Sequence, residues 1–426
     1  MFSVWKWRLI AFSRKLWVRA SLFALLGVIT ALVAAAVQAL LPHTMGEGFG
    51  ADAVEPILTV LASSMLAVTT FALGIMVSAL SGAAQTATPR AVQLLMQDGT
   101  TQNVLATFLG AFLFSLVGII ALKAGIYGAG GRLVLFVASL VVVAVIVLTM
   151  LRWIAHLANF GRMRDVLARM ERAASGALRA RMEAPYLGGH PLRTAPETGA
   201  RAVTSDRVGY VQHLDAGALD AAAEAAGLRA LVAALPGAFV GPATPLCHLA
   251  GERAALAAAD PADFARAFSI GPVREFDQDP RFGLQVLAEV ASRALSPAVN
   301  DPGTAIDVIG RAVRLLAPSG SRRELVLRHP HIWVPEIRMQ DLFEDVFRPI
   351  ARDGAALVEV QMRLQKALAD LSRINPAAFG RAAAQASAEA LARAEAALSI
   401  EADKQILREL AAKVAGRQDV ARPPGI

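Results

Sequence analysis

The sequence predicts an α-helical transmembrane bundle of four spans, followed by an α+β cytoplasmic region with a small barrel-sandwich-like β domain and a helical domain. Of the 426 residues, 55% are hydrophobic and only 18% are charged, whereas soluble domains average about 25% charged residues. The apolar excess is concentrated in four long runs near the N-terminus. Beyond these runs, segments with helical periodicity alternate with short segments typical of β-strands.

The four apolar runs cover residues 20–41, 56–80, 104–122 and 133–151, and none of them contains Asp, Glu, Lys or Arg. A helix rises ~1.5 Å per residue, so each run is long enough to cross the ~30 Å hydrocarbon core of a bilayer. We therefore predict a four-span transmembrane domain over residues 1–152.

Basic residues beside the spans predict the orientation. Five Lys and Arg residues precede the first span and five Arg residues follow the fourth, whereas the loop at 42–55 has none. The positive-inside rule then places both termini in the cytoplasm; Lys123 and Arg132, in the short external loop, are exceptions. The net charge of +7 is explained by basic flanks that contact anionic lipid headgroups. The dispersed Arg residues do not predict nucleic-acid binding.

The second span carries a narrow stripe of small and polar side chains. At 100° per residue, these positions share one sector of the helix. Such a stripe serves either close helix–helix packing or a hydrated path for an ion or solute. The path-lining candidates are Thr59, Ser63, Thr70, Gly74, Ser78, Ser81 and Gln85. After the stripe, Thr88 and Pro89 predict the start of a short amphipathic helix.

The rest of the chain is predicted to form five parts: a stalk helix (153–184) that extends the fourth span, a linker (185–206), a small β-rich domain (207–272), a helical domain (273–372) and Ala-rich C-terminal helices (373–426). The stalk seam, which includes Leu167, Met170 and Ala174, is predicted to pack either on a second copy or within the chain.

Residues 236–246 alternate turns with very short strands, a pattern that looks like a half-motif of a biotinyl- or lipoyl-type barrel-sandwich hybrid. Carrier versions of that fold need a modifiable lysine. Lys123 and Lys366 are consecutive lysines in this chain, which excludes a swinging-arm carrier.

A polar helix–turn–helix at residues 268–316 is the richest candidate site. Asp301 is predicted as the N-cap of a helix that begins at Pro302. The polar groups predict either a ligand pocket, with carboxylates for a hard cation and arginines for an anion, or ordinary capping and inter-helix hydrogen bonding. The ligand-binding candidates are Arg274, Asp279, Arg293, Ser296, Asn300, Asp301, Thr304 and Asp307.

Signatures of catalysis and metal binding are missing from the sequence. Cys247 is the single cysteine, and it and His248 are expected to point to opposite faces of a strand. His329 and His331 are close in sequence but lack an identifiable third ligand. We predict no catalytic residue, no metal site and no cofactor.

Several separated motifs resemble a family of bacterial predicted membrane proteins, domain of unknown function 2254. They are ALSPAVNDPGTA at 294–305, TPR at 88–90, GYVQ at 209–212 and QDPRFG at 278–283. The resemblance covers residues 20–370 and implies a four-span inner-membrane protein with a large cytoplasmic portion. It implies no activity, ligand or catalytic residue.

These observations support two main functional hypotheses. The first is a homo-oligomeric, channel-like or transport-related protein whose second span lines the path and whose cytoplasmic region is a sensor or vestibule. The second is a non-conducting, membrane-anchored regulatory protein that binds a ligand or partner. An enzyme with chemistry near Asp301 ranks third.

Overall fold

The computed structural model describes residues 16–37, 51–86, 88–96, 98–157, 160–195, 197–320 and 326–415. The chain divides into two compact units. Among the described residues, the membrane unit comprises 16–37, 51–85, 89–96, 98–157 and 160–166, and the C-terminal unit comprises 86, 88, 167–195, 197–320 and 326–415. Each unit is described separately.

The described part of the membrane unit contains five helices: α1 (Leu16–Val37), α2 (Ala51–Thr86), α3 (Pro89–Met96), α4 (Gly99–Lys123) and α5 (Ala129–Leu157). Among the described residues, three segments are long and apolar enough to cross a membrane, at Val54–Ala84, Gly99–Lys123 and Gly130–Leu157. They correspond to the last three predicted runs. Helix α1 covers most of the first run, whose residues 38–41 lie outside the described residues, so the first predicted span stays a prediction. Helix α3 begins at Pro89, as predicted.

The long helices of the membrane unit pack through aromatic and aliphatic side chains. Leu58 of α2, Phe114 of α4 and Leu135 of α5 are fully buried in one cluster. Helix α1 approaches α4 closely at Gly27, where an added Cβ would lie 2.5 Å from the carbonyl oxygen of Gly110. Only glycine fits there without moving the backbone, so these two small residues permit the crossing.

The predicted continuous stalk is wrong, because the fourth predicted span and the stalk are separate helices. Helix α5 ends at Leu157 and α6 covers Met163–Glu183. Gly161, in the turn between them, has a φ of 78°, a left-handed conformation that ends a helix.

The stalk seam packs within the chain. Leu167, Met170 and Ala174 of α6 are buried in the C-terminal unit. Gly283 leaves room for Ala174, because a Cβ at Gly283 would collide with the alanine side chain. The seam is therefore used internally rather than for a coiled coil with a second copy.

Two small sheets lie in the described part of the C-terminal unit. Their strands are β1 (His190–Pro191), β2 (Arg201–Val203), β3 (Gly209–Leu214), β4 (Arg229–Val232), β5 (Phe239–Val240), β6 (Cys247–Ala250), β7 (Phe268–Gly271) and β8 (Ile332–Val334). One sheet has five strands in the order β1-β8-β4-β6-β2, and the other has three strands in the order β5-β3-β7. The pairs β1–β8 and β8–β4 are parallel and the remaining pairs are antiparallel.

The β region is larger than the predicted 207–272. The segment predicted as a linker supplies β1 and β2, and β8 comes from the region predicted to be helical. Val232, Ile270 and Ile332 from both sheets share one apolar core. This mixed, non-local strand order does not confirm the barrel-sandwich arrangement, which stays a prediction.

Helices complete the C-terminal unit. Three short helices lie among the strands, α7 (Ala216–Ala225), α8 (Arg253–Ala258) and α9 (Pro261–Ala265). The helical part contains α10 (Pro280–Ala294), α11 (Pro302–Leu316), α12 (Met339–Asp353), α13 (Val358–Ile374), α14 (Pro376–Ala397) and α15 (Glu401–Ala415). The last two lie in the segment that was predicted to form Ala-rich C-terminal helices.

Candidate functional site

The polar stripe of α2 lies on the surface of the membrane unit. Thr59, Ser63, Thr70, Gly74, Ser78 and Ser81 are all exposed. The side chain of Gln85 lies outside the described part of the structure. On other faces of α2, Leu58, Leu61 and Ala72 are buried against the bundle. The helix therefore packs within its own unit through its apolar side chains.

Three hydroxyl groups of the stripe bond to the helix that carries them. Thr59 Oγ1 donates to the Glu55 carbonyl at 2.9 Å, and Ser63 Oγ donates to the Thr59 carbonyl at 2.9 Å. Thr70 Oγ1 donates to the Leu66 carbonyl at 3.0 Å. These donors are satisfied without water or a neighbouring helix, so the stripe is compatible with a dry contact.

In the C-terminal unit, Arg274 and Asp279 form a buried ion pair. Arg274 Nη2 lies 2.6 Å from Asp279 Oδ2. Asp279 is also the N-cap of α10 and accepts from the backbone N–H groups of Arg281 and Phe282. Burial raises the pKa of the Asp279 carboxyl, and Arg274 opposes that shift. The pair stabilises the start of α10, as a cap does.

The ion pair extends into a hydrogen-bonded network between α10 and α12. Arg274 Nη1 donates to Gln285 Oε1, and Gln285 Nε2 donates to Asp345 Oδ1 at 2.7 Å. Arg281 holds Asp345 with two hydrogen bonds, of 2.6 and 3.0 Å. Each carboxylate in the network is matched by an arginine, which favours a structural role. Sequence reasoning missed Arg281, Gln285 and Asp345. Arg281 and Gln285 lie four residues apart at the start of α10, and this i, i+4 spacing was the available signal.

The glycine at the predicted 236–237 turn is required by this network. Gly237 has a φ of 96°, and a Cβ added to it would collide with the Asp279 carboxylate. The turn therefore has room for the Asp279 carboxylate only because residue 237 has no side chain, and this accounts for a glycine at that position.

Asp301 caps α11, as predicted. Its Oδ1 accepts from the Thr304 backbone N–H at 3.1 Å, and its Oδ2 accepts from the Thr304 hydroxyl at 2.6 Å. The hydrogen bonds from Thr304 lower the pKa of the Asp301 carboxyl. Asn300, just before it, has a φ of 49°. The Ser296 hydroxyl donates to the Arg293 carbonyl at 2.7 Å, so this segment is built from local turn and cap bonds.

Asp307 has different partners from Asp301. Its Oδ2 accepts from Arg311 Nε at 3.0 Å, and Arg311 Nη1 also donates to Glu171 of α6 at 2.7 Å. The eight candidates thus have three sets of partners: the Arg274–Asp279 network, the Arg293–Thr304 turn, and the Asp307–Arg311 pair. The predicted cation site between Asp301 and Asp307 stays a prediction.

Sequence reasoning missed a buried acid–imidazole pair in the membrane unit. His156 Nε2 lies 2.9 Å from Asp98 Oδ2, and the two side chains are only 17% and 8% exposed. Asp98 is also the N-cap of α4. The Asp98-Gly99 dipeptide is typical of a helix end. The histidine that pairs with Asp98 comes from the far end of α5, so no local pattern indicated the pair.

A second, more exposed pair involves Lys123 at the end of α4. Its Nζ lies 3.0 Å from Glu55 Oε1. Lys123 was an exception to the predicted charge rule, and the pairing with Glu55 neutralises it within the membrane unit.

The histidines near β8 contact a single acid. Asp220 Oδ1 lies 3.4 Å from His331 Nδ1, and Asp220 Oδ2 lies 3.8 Å from His329 Nδ1. No group of three potential ligands is placed to hold a metal ion within the described ranges. Cys247 is fully buried, and burial raises the pKa of its thiol to about 12, so it is a poor nucleophile.

A shallow groove lies between α12 and α14. Its aromatic floor is Phe343 and Phe347, and Arg348 on its rim lies 3.3 Å from Glu389 and 3.2 Å from Glu344. The polar groups at the rim are thus occupied by each other.

Comparison with known proteins identifies the family of this chain. The chain matches the predicted membrane protein family DUF2254 over residues 13–370. It is 27% identical over 292 residues to uncharacterized protein Rv1290c of Mycobacterium tuberculosis and to uncharacterized protein Mb1321c of Mycobacterium bovis. The match covers 66% of this chain and 55% of each relative, so the chain spans about half the length of these relatives. No solved structure matches the chain. The chain, predicted from its apolar runs to be a membrane protein, belongs to the predicted membrane protein family DUF2254.

Proposed function

We propose that this protein self-associates in a bacterial inner membrane through the polar stripe of α2, and that the assembly forms or gates a path for an ion or solute. The observation that carries the proposal is the exposure of the stripe in a single chain. A face of small and polar residues gains little from lipid, whereas a second protein surface or water can use it.

The spacing of small residues supports association. Gly74, Ser78 and Gly82 recur every four residues, and a Cβ at Gly74 or Gly82 would meet no atom within 4 Å. Small residues at this spacing let two helix backbones approach closely in a membrane. The adjacent Val77 and Phe71, which are 55% and 70% exposed, are suited to lipid or to the rim of the contact.

Four spans with both termini in the cytoplasm form part of the proposal. Pairing of Lys123 with Glu55 supports it, because both residues are then external and their charges cancel. The basic flanks would contact anionic headgroups, and the C-terminal unit would act as a cytoplasmic sensor or vestibule.

A non-conducting anchor is the second candidate. It is favoured by Ser63 and Thr70, whose hydroxyl groups bond to their own helix and so need no water. In that case the stripe forms a dry contact between copies or with another membrane protein, and the C-terminal unit carries the binding function.

Mass measurement of the full chain in nanodiscs tests self-association. We expect an oligomer for the wild type and a shift to monomer for Gly74→Leu and Ser78→Leu. Val77→Leu is the matched control, because it introduces the same side chain at an exposed position of the same helix. A monomeric wild type contradicts the proposal.

Flux into liposomes then separates the two candidates. A path predicts ion or solute flux that Ser63→Leu reduces while the mass of the assembly is unchanged. An oligomer without flux for a panel of monovalent cations, anions and small neutral solutes favours the anchor.

A further inference from the structure

Arg181 is a buried cation in the last turn of α6. Only 9% of the residue is exposed. Its Nη2 donates to the carbonyl of Pro335, just after β8, at 3.2 Å. Its Nε is buried and has no hydrogen-bond partner. Among the residues that the structure describes, no carboxylate lies within ion-pair distance of this guanidinium.

Arg311 is another buried arginine of the C-terminal unit, and it has carboxylate partners. It is 7% exposed and lies 2.7 Å from Glu171 and 3.0 Å from Asp307. Burial of an unpaired charge is unfavourable, and carboxylate partners such as those of Arg311 offset that penalty. Two arginines of similar burial therefore differ in the groups that offset their charge: Arg311 has two carboxylates, and Arg181 has one carbonyl.

Local dipoles compensate Arg181 only in part. The C-terminal end of a helix carries about half a negative charge, spread over its last carbonyl groups. Burial lowers the pKa of the Arg181 guanidinium to about 10, so the group stays charged at neutral pH. A full negative charge is still missing from its surroundings.

The turn that follows α6 is held in a demanding conformation. Leu187 is buried with a φ of 55°, and Gly188 has a φ of 87°. A left-handed leucine is strained, and the surrounding core must offset that strain. The surrounding core therefore fixes the path of the chain directly after the helix that carries Arg181.

We propose that Arg181 binds a small oxyanion of the phosphate class, supplied either as a free ion or as a lipid headgroup. The donor groups are the guanidinium N–H groups that do not bond to Pro335, and their planar arrangement matches the oxygens of such an anion. Nε is shielded from solvent in the structure, so the anion must enter through the 9% of Arg181 that is exposed. The inference is independent of any role of the α2 stripe.

The test measures apparent Tm of the full chain against inorganic phosphate, with chloride at equal ionic strength as the reference. We expect a saturable rise in Tm for the wild type and none for Arg181→Met. Without phosphate, Arg181→Met should be as stable as the wild type or more stable, because methionine fills the space and removes the unpaired charge.

Arg311→Met is the matched control. It should lower Tm with or without phosphate, because Asp307 loses its arginine and Glu171 keeps only Arg314, while the phosphate-dependent rise persists. If Arg181 has only a structural role, Arg181→Met lowers Tm as Arg311→Met does and the wild type shows no phosphate-specific rise; that result overturns the proposal.

Arg181→Lys covers the case in which Arg181→Met does not fold. It keeps the charge and loses the planar fork, so half-saturation should need about tenfold more phosphate; unchanged half-saturation overturns the proposal. Nanodiscs with phosphatidylglycerol in phosphate-free buffer distinguish the source. An Arg181-dependent rise in Tm only there identifies a lipid headgroup, and a rise with inorganic phosphate in detergent identifies a free ion.

Discussion

The imidazole Nε2 of His156 lies 2.9 Å from Asp98 Oδ2 and joins the C-terminal end of α5 to the N-cap of α4. The Thr101 backbone N–H and hydroxyl donate to the same carboxylate oxygen, at 2.9 and 2.7 Å. Trp153 and Phe160 lie against the imidazole, with ring centroids 5.8 and 5.2 Å away. This enclosed pair contrasts with Glu55–Lys123, whose side chains are 40% and 64% exposed.

We expect Asp98→Asn to lower the free energy of unfolding by about 1–3 kcal/mol, because the buried imidazole of His156 loses the carboxylate with which it pairs. Asparagine keeps a capping oxygen, so the loss reports the pair with His156 rather than the cap. The measurement is apparent Tm in detergent. Glu55→Gln is the control and should cost less than about 1 kcal/mol, as exposed pairs do. Equal losses for the two variants would contradict the assigned difference in burial.

Asp301→Ala should cost about 1 kcal/mol through the lost cap of α11, whereas Asp301→Asn should be nearly neutral. The reason is that an asparagine oxygen still accepts from the Thr304 backbone N–H, which Asp301 now holds at 3.1 Å. Apparent Tm of the two variants checks this. If Asp301→Asn impairs flux in liposomes as strongly as Asp301→Ala at unchanged Tm, the carboxylate has a role beyond capping and the pocket hypothesis gains support.

Glu171 should contribute a pH-dependent part of the stability of the C-terminal unit. Its hydrogen bond with Arg314 lowers the pKa of the carboxyl below its ordinary value of 4.5. A lowered folded-state pKa stabilises the fold above the unfolded value, and this stabilisation is lost as pH falls through the folded value. Glu171→Gln should therefore lower Tm at neutral pH and differ progressively less from the wild type below about pH 4.5. A difference that does not change with pH would contradict the assignment.

Sequence patterns predicted the features that depend on neighbouring residues. The last three apolar runs, the start of α3 at Pro89 and the Asp301 cap of α11 follow from local hydropathy, proline geometry and capping chemistry. Each of these is specified by a handful of consecutive residues, so the pattern is sufficient. The stalk failed for the same reason: helical periodicity continued past Leu157, and the φ of 78° at Gly161 was not visible in it.

Only the fold shows which charged groups are partners. Arg311 and Glu171 are 140 residues apart in sequence, and β8 inserts between β1 and β4 from far along the chain. In sequence, Arg181 was one basic residue on a helix. Its burial, without a carboxylate among the described residues, depends on the packing of α6 and the segment after β8.

The amino-acid sequence by itself determined that this is a membrane protein of the DUF2254 family, where its apolar helices lie and where several helices begin, because hydropathy and capping act over short stretches of chain. Only the tertiary structure decided which side chains meet, that the stripe of α2 lies outside its own bundle, and which arginines are compensated. Burial and electrostatic pairing are set by segments that are distant in sequence, and a single sequence does not specify their contacts.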